Sequence, residues 1–287
     1  MHQANNKVAA IHDLSGFGRC SLAVIIPLLS VLKKQVCPVP TTILSSHTGG
    51  LGEVAMRDLP GYVSEALHHY QTLELTFAGI YSGYLGKADH IADCLAFIQA
   101  FPEALKVVDP VMGDHGKPYR HMSAELIASM KNLVRVADLI TPNMTEVGLL
   151  LNEPYLGGSL SLGECKQKLR ALSELGPRQV IITGVRIEQG QIMNMGYDRL
   201  ANQYYGIPCY YSDVSYPGTG DIFAAIVTGY LLDGLELPKS IEKATRFLEY
   251  VIQKTYASGS DTRYGVALEE HLDWFFKEDI SYEYIVY

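Results

Sequence analysis

The chain has 287 residues, 48% of them hydrophobic, which is enough for a large core in a single α/β domain. Its 31 acidic residues outnumber its 23 basic ones and give a formal net charge of −8. That balance argues against nucleic acid and anionic membranes as partners, because both select dense Lys and Arg patches. An anionic ligand would therefore be bound locally, by backbone amides and a metal ion.

Five cysteines are scattered along the sequence without a CxxC pair, which predicts reduced thiols rather than disulfides or a zinc site. The polar N-terminal residues contain no signal-peptide core, and no apolar run approaches the roughly 20 residues that span a bilayer. We therefore expect a cytoplasmic protein.

Short apolar runs alternate with amphipathic stretches along the chain. The predicted strands are 8–12, 41–44, 79–82, 105–108, 139–140 and 179–182. The predicted helices are 20–32, 61–72, 88–100, 123–135, 145–151, 161–175 and 222–232. We expect Pro27 to kink or restart the first helix, and 192–211 to form an antiparallel ribbon. The alternation predicts one domain, 1–287, with a mostly parallel sheet and helices on both faces, and a loosely ordered tail at 281–287.

In such sheets ligands bind beyond the carboxyl ends of the strands, so the polar segments there carry the functional prediction. His47 follows the strand 41–44 and is either a substrate contact or a hydrogen-bonded loop histidine. Asp109 and Asp114 follow the strand 105–108. They could bind Mg²⁺ directly or through water, since Mg²⁺ prefers oxygen ligands and keeps several waters. The alternative is a turn rich in Asp, Gly and Pro.

Asn143 and Glu146 follow the strand 139–140 and lie three residues apart at the start of a helix, so their side chains share a face. That arrangement suits the orientation of metal-bound water and phosphate. The alternative is a capping box with Asn143 as N-cap and Glu146 three residues later. Thr183 ends the strand 179–182, where its hydroxyl and amide could contact phosphate.

Gly218, Thr219, Gly220 and Asp221 precede the helix 222–232. The first amides of a helix lack internal partners and carry roughly half a positive charge, and glycines let them approach a phosphoryl group closely. Asp221 would lie near the acceptor hydroxyl as a catalytic base. The alternative is an ordinary N-cap formed by Thr219 or Asp221. The sequence has neither GxxxxGK[ST] nor GxGxxG, so phosphate binding rests on this motif and the carboxylates.

Together these motifs resemble the ribokinase-like superfamily and, within it, the pyridoxal (vitamin B6) kinases. The resemblance runs from about residue 7 to 276 and rests on five motifs in order, at 46–49, 82–86, 109–114, 141–146 and 218–221. It implies a ribokinase-like three-layer α/β/α fold without a separate lid domain. It also implies ATP-dependent phosphorylation of the 5′-hydroxymethyl group of pyridoxal, pyridoxine or pyridoxamine.

The resemblance further implies roles for particular residues. Asp221 would take the hydroxyl proton, and the anion hole would consist of Gly218, Thr219 and Gly220. Mg²⁺ and the ATP phosphates would be bound near Asp109, Asn143 and Glu146, partly through water. Further ATP contacts would come from Asp114, Tyr119, Thr141 and Thr183, and vitamin contacts from Asp13, Ser15, His47, Thr48 and Tyr84. ATP and Mg²⁺ are the implied cofactors, a monovalent cation such as K⁺ is left open, and a homodimer is implied.

Asp13 departs from the family pattern, because many pyridoxal kinases have a serine after the first strand. We hypothesise that Asp13 faces the pyridine nitrogen and favours its protonated form. The alternative is that Asp13 caps the turn, and that Ser15 or no residue contacts the ring.

Two other functions stay open. A hydroxymethylpyrimidine kinase of the same superfamily shares the anion hole and phosphorylates a similar hydroxymethylated heterocycle. A non-catalytic vitamin- or nucleotide-binding protein would be expected to lose the base or the metal carboxylates, and this chain has both. A sugar kinase is disfavoured, since no early segment would supply a sugar-covering lid.

Overall fold

The computed structural model describes residues 6–120, 122–155, 157–188, 190–210, 214–277 and 283–287. The strands are β1 (Lys7–Ser15), β2 (Gln35–Leu44), β3 (Met56–Asp58), β4 (Gly79–Ser82), β5 (Leu105–Val108), β6 (Gly113–Asp114), β7 (Lys117–Pro118), β8 (Leu139–Ile140), β9 (Gln179–Arg186), β10 (Ile192–Asp198), β11 (Gln203–Cys209) and β12 (Ile285–Val286). The helices are α1 (Leu22–Val31), α2 (Tyr62–Thr72), α3 (Ala88–Ala100), α4 (Ala124–Val136), α5 (Met144–Leu151), α6 (Leu162–Glu174), α7 (Thr219–Leu232) and α8 (Leu237–Ala257).

One large sheet organises the molecule, in the order β12-β11-β10-β9-β8-β5-β4-β1-β2-β3. The neighbours from β9 to β2 are parallel, whereas β10, β11, β12 and β3 pair antiparallel with their neighbours. The prediction of a mostly parallel sheet with an antiparallel ribbon after β9 is confirmed; Tyr211, the last residue of that predicted ribbon, lies outside the described residues. The strands β6 and β7 form a separate small hairpin.

Helices cover both faces of the sheet, as predicted. One core contains buried residues of α2 to α6, and the other contains buried residues of α1, α7 and α8. Successive residues of β1 point to opposite cores: Ala9 and Ile11 to the first, Val8 and Ala10 to the second. Because both faces of this central strand are covered, its residues 8–11 are all apolar. Among the described residues, no helix has both the length and the apolar character needed to cross a membrane.

Several elements differ from their predicted bounds, and two of these contain prolines. The strand β2 begins at Gln35 despite Pro38 and Pro40. Prolines are tolerated on sheet edges, and β3 pairs only with the last part of β2, from Thr42 onward. The helix α1 begins at Leu22 rather than at residue 20 and continues through Pro27, because burial of its apolar face offsets the lost hydrogen bond.

The elements α8 and β12 of the C-terminal half were not predicted. The segment 281–287, predicted to be a loosely ordered tail, contains β12, which pairs with β11 through Tyr205 opposite Val286. Residues 281–282 lie outside the described residues. Next to β12, the Nζ atom of Lys166 lies 5.1 Å from the ring centre of Tyr287, a cation–π contact that helps to hold the chain end on the sheet edge.

Candidate active site

The helix α7 begins in the conformation that an anion hole requires. Gly218 is its N-cap, with a φ of 79°, and no side chain among the described residues caps it. A Cβ atom at Gly218 would lie 2.2 Å from the backbone oxygen of Arg19, so only glycine fits there. The Thr219 hydroxyl donates to the Tyr216 carbonyl, 3.1 Å away, rather than accepting from the helix. The first-turn amides, Gly220 included, are therefore left available for an anion.

Asp221 lies in the first turn of α7 and is 9% exposed. Its Oδ2 atom accepts a hydrogen bond from the backbone N–H of Ser21 at 2.7 Å, and its Oδ1 atom lies 3.2 Å from Nε2 of His12. Both oxygens are thus held by protein donors. The loop that supplies the Ser21 amide is conformationally unusual, because Arg19 and Ser21 both have positive φ values, of 49° and 57°. Such strained conformations tend to occur where a backbone group is needed in one orientation.

His12 is a buried site residue that the sequence analysis did not identify. It is 1% exposed, and its Nδ1 atom lies 2.8 Å from Oδ1 of Asp13. Its ring stacks on Tyr81 with 6.2 Å between the ring centres and an interplanar angle of 8°. Burial alone would lower the pKa of His12, but the charge of Asp221 and hydrogen bonds to both carboxylates raise this pKa to about 10.

Asp13 lies at a bulge in β1, where the pairing with β2 shifts between His12 and Leu14. The bulge turns Asp13 towards His12 although the two are adjacent in a strand. Its Oδ1 atom also accepts from the Ser21 hydroxyl at 2.8 Å, and its Oδ2 atom accepts from the Ser15 hydroxyl at 2.8 Å. Burial works against its charge, yet these donors and the charge of His12 hold the pKa of Asp13 below its ordinary value. Both predicted substrate contacts, Asp13 and Ser15, therefore already contact each other.

Asp109 follows β5 and faces the start of α7. Its Oδ1 atom accepts from the hydroxyl of Thr141 at 3.1 Å, and a Cβ atom built on Gly220 would lie 4.0 Å from its Oδ2 atom. Burial, and then the charge of Asp221, raises the pKa of Asp109 to about 7. The ends of β5 and β8 and the start of α7 thus lie next to one another.

Asn143 and Glu146 form a complete capping box at the start of α5. The oxygen of Asn143 accepts from the amides of Thr145 and Glu146, and its nitrogen donates to the carbonyl of Gly113 at 2.9 Å. The two oxygens of Glu146 accept from the amides of Asn143 and Met112 at 2.9 and 3.0 Å. The pair therefore ties the segment after β5 to α5. Burial, and then the charge of Asp109, raises the pKa of Glu146 well above its ordinary value.

These donors restrict how Mg²⁺ could be bound. Asn143 has both polar atoms engaged, so its oxygen is not free as a ligand. The carboxylates of Asp109 and Glu146 are buried and repel each other, and a cation between them would relieve that repulsion. Among the described residues no group of three His, Cys, Asp or Glu side chains forms a ready metal site. The residues fit a cation held by Asp109, by water and by ligand phosphates, the mode that suits Mg²⁺.

The other predicted nucleotide contacts are more exposed to solvent than Asp109 and Glu146. Asp114 is exposed in the β6–β7 hairpin, where its Oδ1 atom accepts from the His115 amide at 2.7 Å. Tyr119, 43% exposed, follows that hairpin. Thr183 is half-buried, and its amide donates to the carbonyl of Pro142 at 3.0 Å, beside the capping box.

The predicted vitamin contact His47 lies in the loop 45–50, against the loop 16–20. The Nδ1 atom of His47 accepts from the Gly49 amide at 3.0 Å, so its Nε2 atom donates to the carbonyl of Arg263 at 2.6 Å. Its ring fills the space in front of Gly18, where a Cβ atom would lie 2.1 Å from Cδ2. His47 therefore joins the loops, with both ring nitrogens engaged by backbone.

Two further predicted vitamin contacts border this region. Tyr84 is half-buried beyond β4, and burial, followed by the charge of Asp13, raises its pKa. Its ring therefore lies within electrostatic reach of Asp13. Thr48 is exposed.

Sequence and structure comparisons place the chain in a family of kinases. The model of the phosphomethylpyrimidine kinase family matches residues 34–265. A Bordetella avium pyridoxine/pyridoxal/pyridoxamine kinase is 32% identical, over 77% of this chain and 76% of its own. A Bacteroides thetaiotaomicron protein, described as a phosphomethylpyrimidine kinase and crystallised with pyridoxal, is 39% identical with a TM-score of 0.94, covering 99% of this chain and 100% of its own. The pyridoxal kinase of Lactobacillus plantarum is 30% identical with a TM-score of 0.87, covering 96% and 97%.

Proposed function

The chain belongs to the phosphomethylpyrimidine kinase family and, within it, to the ribokinase-like pyridoxal kinases, and we propose that it phosphorylates the 5′-hydroxymethyl group of vitamin B6 with ATP. Pyridoxal, pyridoxine and pyridoxamine share that hydroxymethyl group, so all three are proposed substrates. The support is the similarity to enzymes of that name together with the geometry at the start of α7.

One observation carries the proposal. A buried carboxylate, Asp221, lies in the first turn of a helix whose N-terminus no described side chain caps. An acceptor hydroxyl beside this carboxylate and a phosphoryl group on the amides of Gly218, Thr219 and Gly220 would be neighbours. Phosphoryl transfer needs little beyond such positioning and the neutralisation of equatorial oxygen charge.

In the proposed reaction Asp221 takes the proton of the substrate hydroxyl as its oxygen attacks the γ-phosphorus. A bond forms between that oxygen and phosphorus, the bond to the bridging oxygen of ADP breaks, and ADP leaves with the electron pair. General-base help of this kind typically contributes ~10²–10⁴-fold. The capping box of Asn143 and Glu146 fixes the segment after β5, which keeps Asp109 facing the reacting phosphate.

Mg²⁺ bound near Asp109, with Glu146 acting through water, would neutralise charge on the phosphates. Asp114, Tyr119, Thr141 and Thr183 are proposed to border the nucleotide. The roles of K⁺ and of a homodimer stay predictions, to be checked by salt dependence and by light scattering of the purified protein.

Hydroxymethylpyrimidine phosphorylation is the second candidate. The family model that matches most of the chain is that of phosphomethylpyrimidine kinase, and the Bacteroides protein carries the same description. Measuring kcat/KM for pyridoxal and for hydroxymethylpyrimidine side by side, with and without Mg²⁺, separates the two. We expect the larger kcat/KM with pyridoxal, and turnover only with Mg²⁺ present. A larger kcat/KM with hydroxymethylpyrimidine would reverse the assignment.

A further inference from the structure

His12 lies between two carboxylates that belong to distant parts of the chain. Its Nδ1 atom is 2.8 Å from Asp13, the next residue, and its Nε2 atom is 3.2 Å from Asp221, which is 209 residues away. A neutral imidazole carries a proton on one nitrogen and a lone pair on the other, so it can donate to only one carboxylate. Donation to both requires the imidazolium form. The geometry therefore describes a carboxylate–imidazolium–carboxylate chain across the site.

The surroundings of His12 hold its ring in this place. Tyr81 of β4 stacks on the ring, and Gly83, just beyond β4, leaves room for it. A Cβ atom on Gly83 would lie 2.0 Å from Cδ2 and 2.2 Å from Nε2 of His12. Since Gly83 has no positive φ, its role here is to leave space for the ring and not to allow an unusual backbone. The bulge at Asp13 completes the arrangement from the other side.

We infer that His12 is a positioning residue for phosphoryl transfer, which links Asp13 to Asp221 and orients the carboxylate of the base. This inference rests on the proposed function of Asp221. The Ser21 amide holds one oxygen of Asp221 and His12 holds the other, so rotation of the carboxylate is blocked at both atoms. The lone pairs that remain would be available to the acceptor hydroxyl of the proposed reaction.

The charges around His12 support this role. The acidic groups that act on it are Asp13 on its own strand, Asp221 on α7 and Asp109 after β5, with the Tyr81 ring stacked from β4. A cation between the first two carboxylates reduces the cost of keeping both ionised beside ATP phosphates. The raised pKa of His12, about 10, agrees with a ring that stays charged at neutral pH.

The arrangement also gives Asp13 a role different from a direct contact with the vitamin ring. Its two oxygens accept from His12, Ser15 and Ser21. Three donors of this kind fix a carboxylate strongly. Asp13 therefore acts on Asp221 through His12, and the serine hydroxyls hold Asp13 itself.

Two substitutions of His12 separate its two hydrogen bonds. The side-chain nitrogen of asparagine is separated from Cα by the same number of bonds as Nδ1 of histidine. The side-chain nitrogen of glutamine is separated from Cα by the same number of bonds as Nε2 of histidine. The asparagine of His12→Asn can thus donate to Asp13 but not to Asp221, and the glutamine of His12→Gln can donate to Asp221 but not to Asp13. Both variants lose the positive charge of the imidazolium ring. We expect kcat for pyridoxal to be at least ~10-fold lower in His12→Asn than in His12→Gln, with KM in His12→Asn within about threefold of wild type. Equal kcat values, or a loss confined to KM, would overturn the positioning role.

An NMR measurement, which does not depend on catalytic turnover, tests in the wild-type protein whether His12 donates to both carboxylates. With ¹⁵N-labelled histidine at pH 8, the His12 ring signals are those absent from the His12→Gln spectrum. We expect both ring nitrogens of His12 to be protonated, whereas ordinary histidines, with a pKa near about 6.5, are neutral at this pH. If no histidine ring of the wild-type protein is doubly protonated at pH 8, the chain of hydrogen bonds is contradicted, even if the variants misfold. The wild-type protein could have a doubly protonated His12 and still not phosphorylate vitamin B6. That result would refute the proposed function but not the hydrogen-bond chain of Asp13, His12 and Asp221.

Discussion

Two neighbouring parts of the site bury carboxylates and balance their charge in different ways. The acceptor half consists of His12, Asp13 and Asp221, and a histidine lies between its two carboxylates. The nucleotide half consists of Asp109, Asn143 and Glu146, where hydroxyl and backbone N–H donors hold the carboxylates. In the acceptor half the pKa of Asp13 falls below its usual value, whereas in the nucleotide half those of Asp109 and Glu146 rise.

This contrast indicates that the two halves are prepared to different degrees before ligands bind. The acceptor half has its counter-charge built into the protein, so the carboxylate of Asp221, the proposed base, is oriented in advance. The nucleotide half carries buried negative charge that a cation arriving with the nucleotide would neutralise. Under the proposed function, the protein would hold its base in place before binding, and the ligands would supply the charge balance around the phosphates.

The largest effect is expected for Asp221→Asn, which removes the proposed base from the acceptor half and keeps the shape of the side chain. We expect kcat for pyridoxal to fall at least ~100-fold while calorimetry still detects pyridoxal binding. Asp89→Asn is the matched control, because Asp89 is an exposed aspartate in the first turn of α3. This variant also loses a favourable interaction between a carboxylate and a helix dipole. Near-normal turnover in Asp221→Asn would remove the base assignment.

Asp109→Asn tests the nucleotide half and should separate activity from stability. We expect kcat to fall on the order of 10- to 100-fold, since the carboxylate nearest the proposed cation is lost. Without Mg²⁺, however, Tm should rise, because an uncompensated buried charge is removed. Each kcal/mol gained in the free energy of unfolding raises Tm by about 2–4 °C.

The pH dependence of that stability gain has a definite sign. A carboxyl whose pKa is raised in the folded state, from 3.8 to about 7 for Asp109, destabilises the fold increasingly as pH rises through this window. The difference in Tm between Asp109→Asn and wild type should therefore grow from pH 4 to pH 7 and level off above. A variant less stable than wild type at pH 8 would show that Asp109 is already compensated within the protein.

Gly83→Ala perturbs the acceptor half without changing any polar group. The added methyl group needs the space of the His12 ring, so the ring should shift away from Asp221 and lower kcat about tenfold. The same change in a His12→Asn background should add little, because both act on one contact. Gly163→Ala on α6 is the control, since its Cβ atom would meet nothing closer than 3.9 Å. Additive effects of the two substitutions would place the role of Gly83 elsewhere.

The smallest effect in this series is the change in KM for Asp13→Ser, which is expected to be slight although kcat falls. If Asp13 acts through His12, kcat falls in the same proportion for pyridoxal, pyridoxine and pyridoxamine, and each KM stays within about threefold of wild type. A KM that rises strongly for one vitamer would instead support a contact between Asp13 and the pyridine ring. Steady-state kinetics with the three vitamers distinguishes these outcomes.

Much of the fold could be predicted because its central strands are apolar on both faces. The strands 79–82 and 105–108 have the predicted bounds, and the polar motifs follow strand ends as expected. The capping box at Asn143 was predicted as an alternative and is present. The helix α8 was missed although its apolar positions repeat with helical spacing, which is a signal that the sequence does contain.

The centre of the acceptor half could not be predicted from local pattern. A single histidine in an apolar strand resembles any core residue, and its partner Asp221 lies 209 positions away. The donor to the other oxygen of Asp221 is the backbone of Ser21, which leaves no side-chain signature. The bulge that turns Asp13 towards His12 depends on the pairing of β1 with β2 and is likewise invisible in the sequence.

The central claim is that Asp221 meets the acceptor hydroxyl at the N-terminus of α7. A crystal structure with pyridoxal and a non-hydrolysable ATP analogue tests it most directly. The account predicts the 5′-hydroxyl within about 2.6–3.2 Å of an Asp221 oxygen, and the γ-phosphate on the amides of Gly218 to Gly220. A ring bound with its hydroxymethyl group turned away from Asp221, or a γ-phosphate placed elsewhere, would contradict the account.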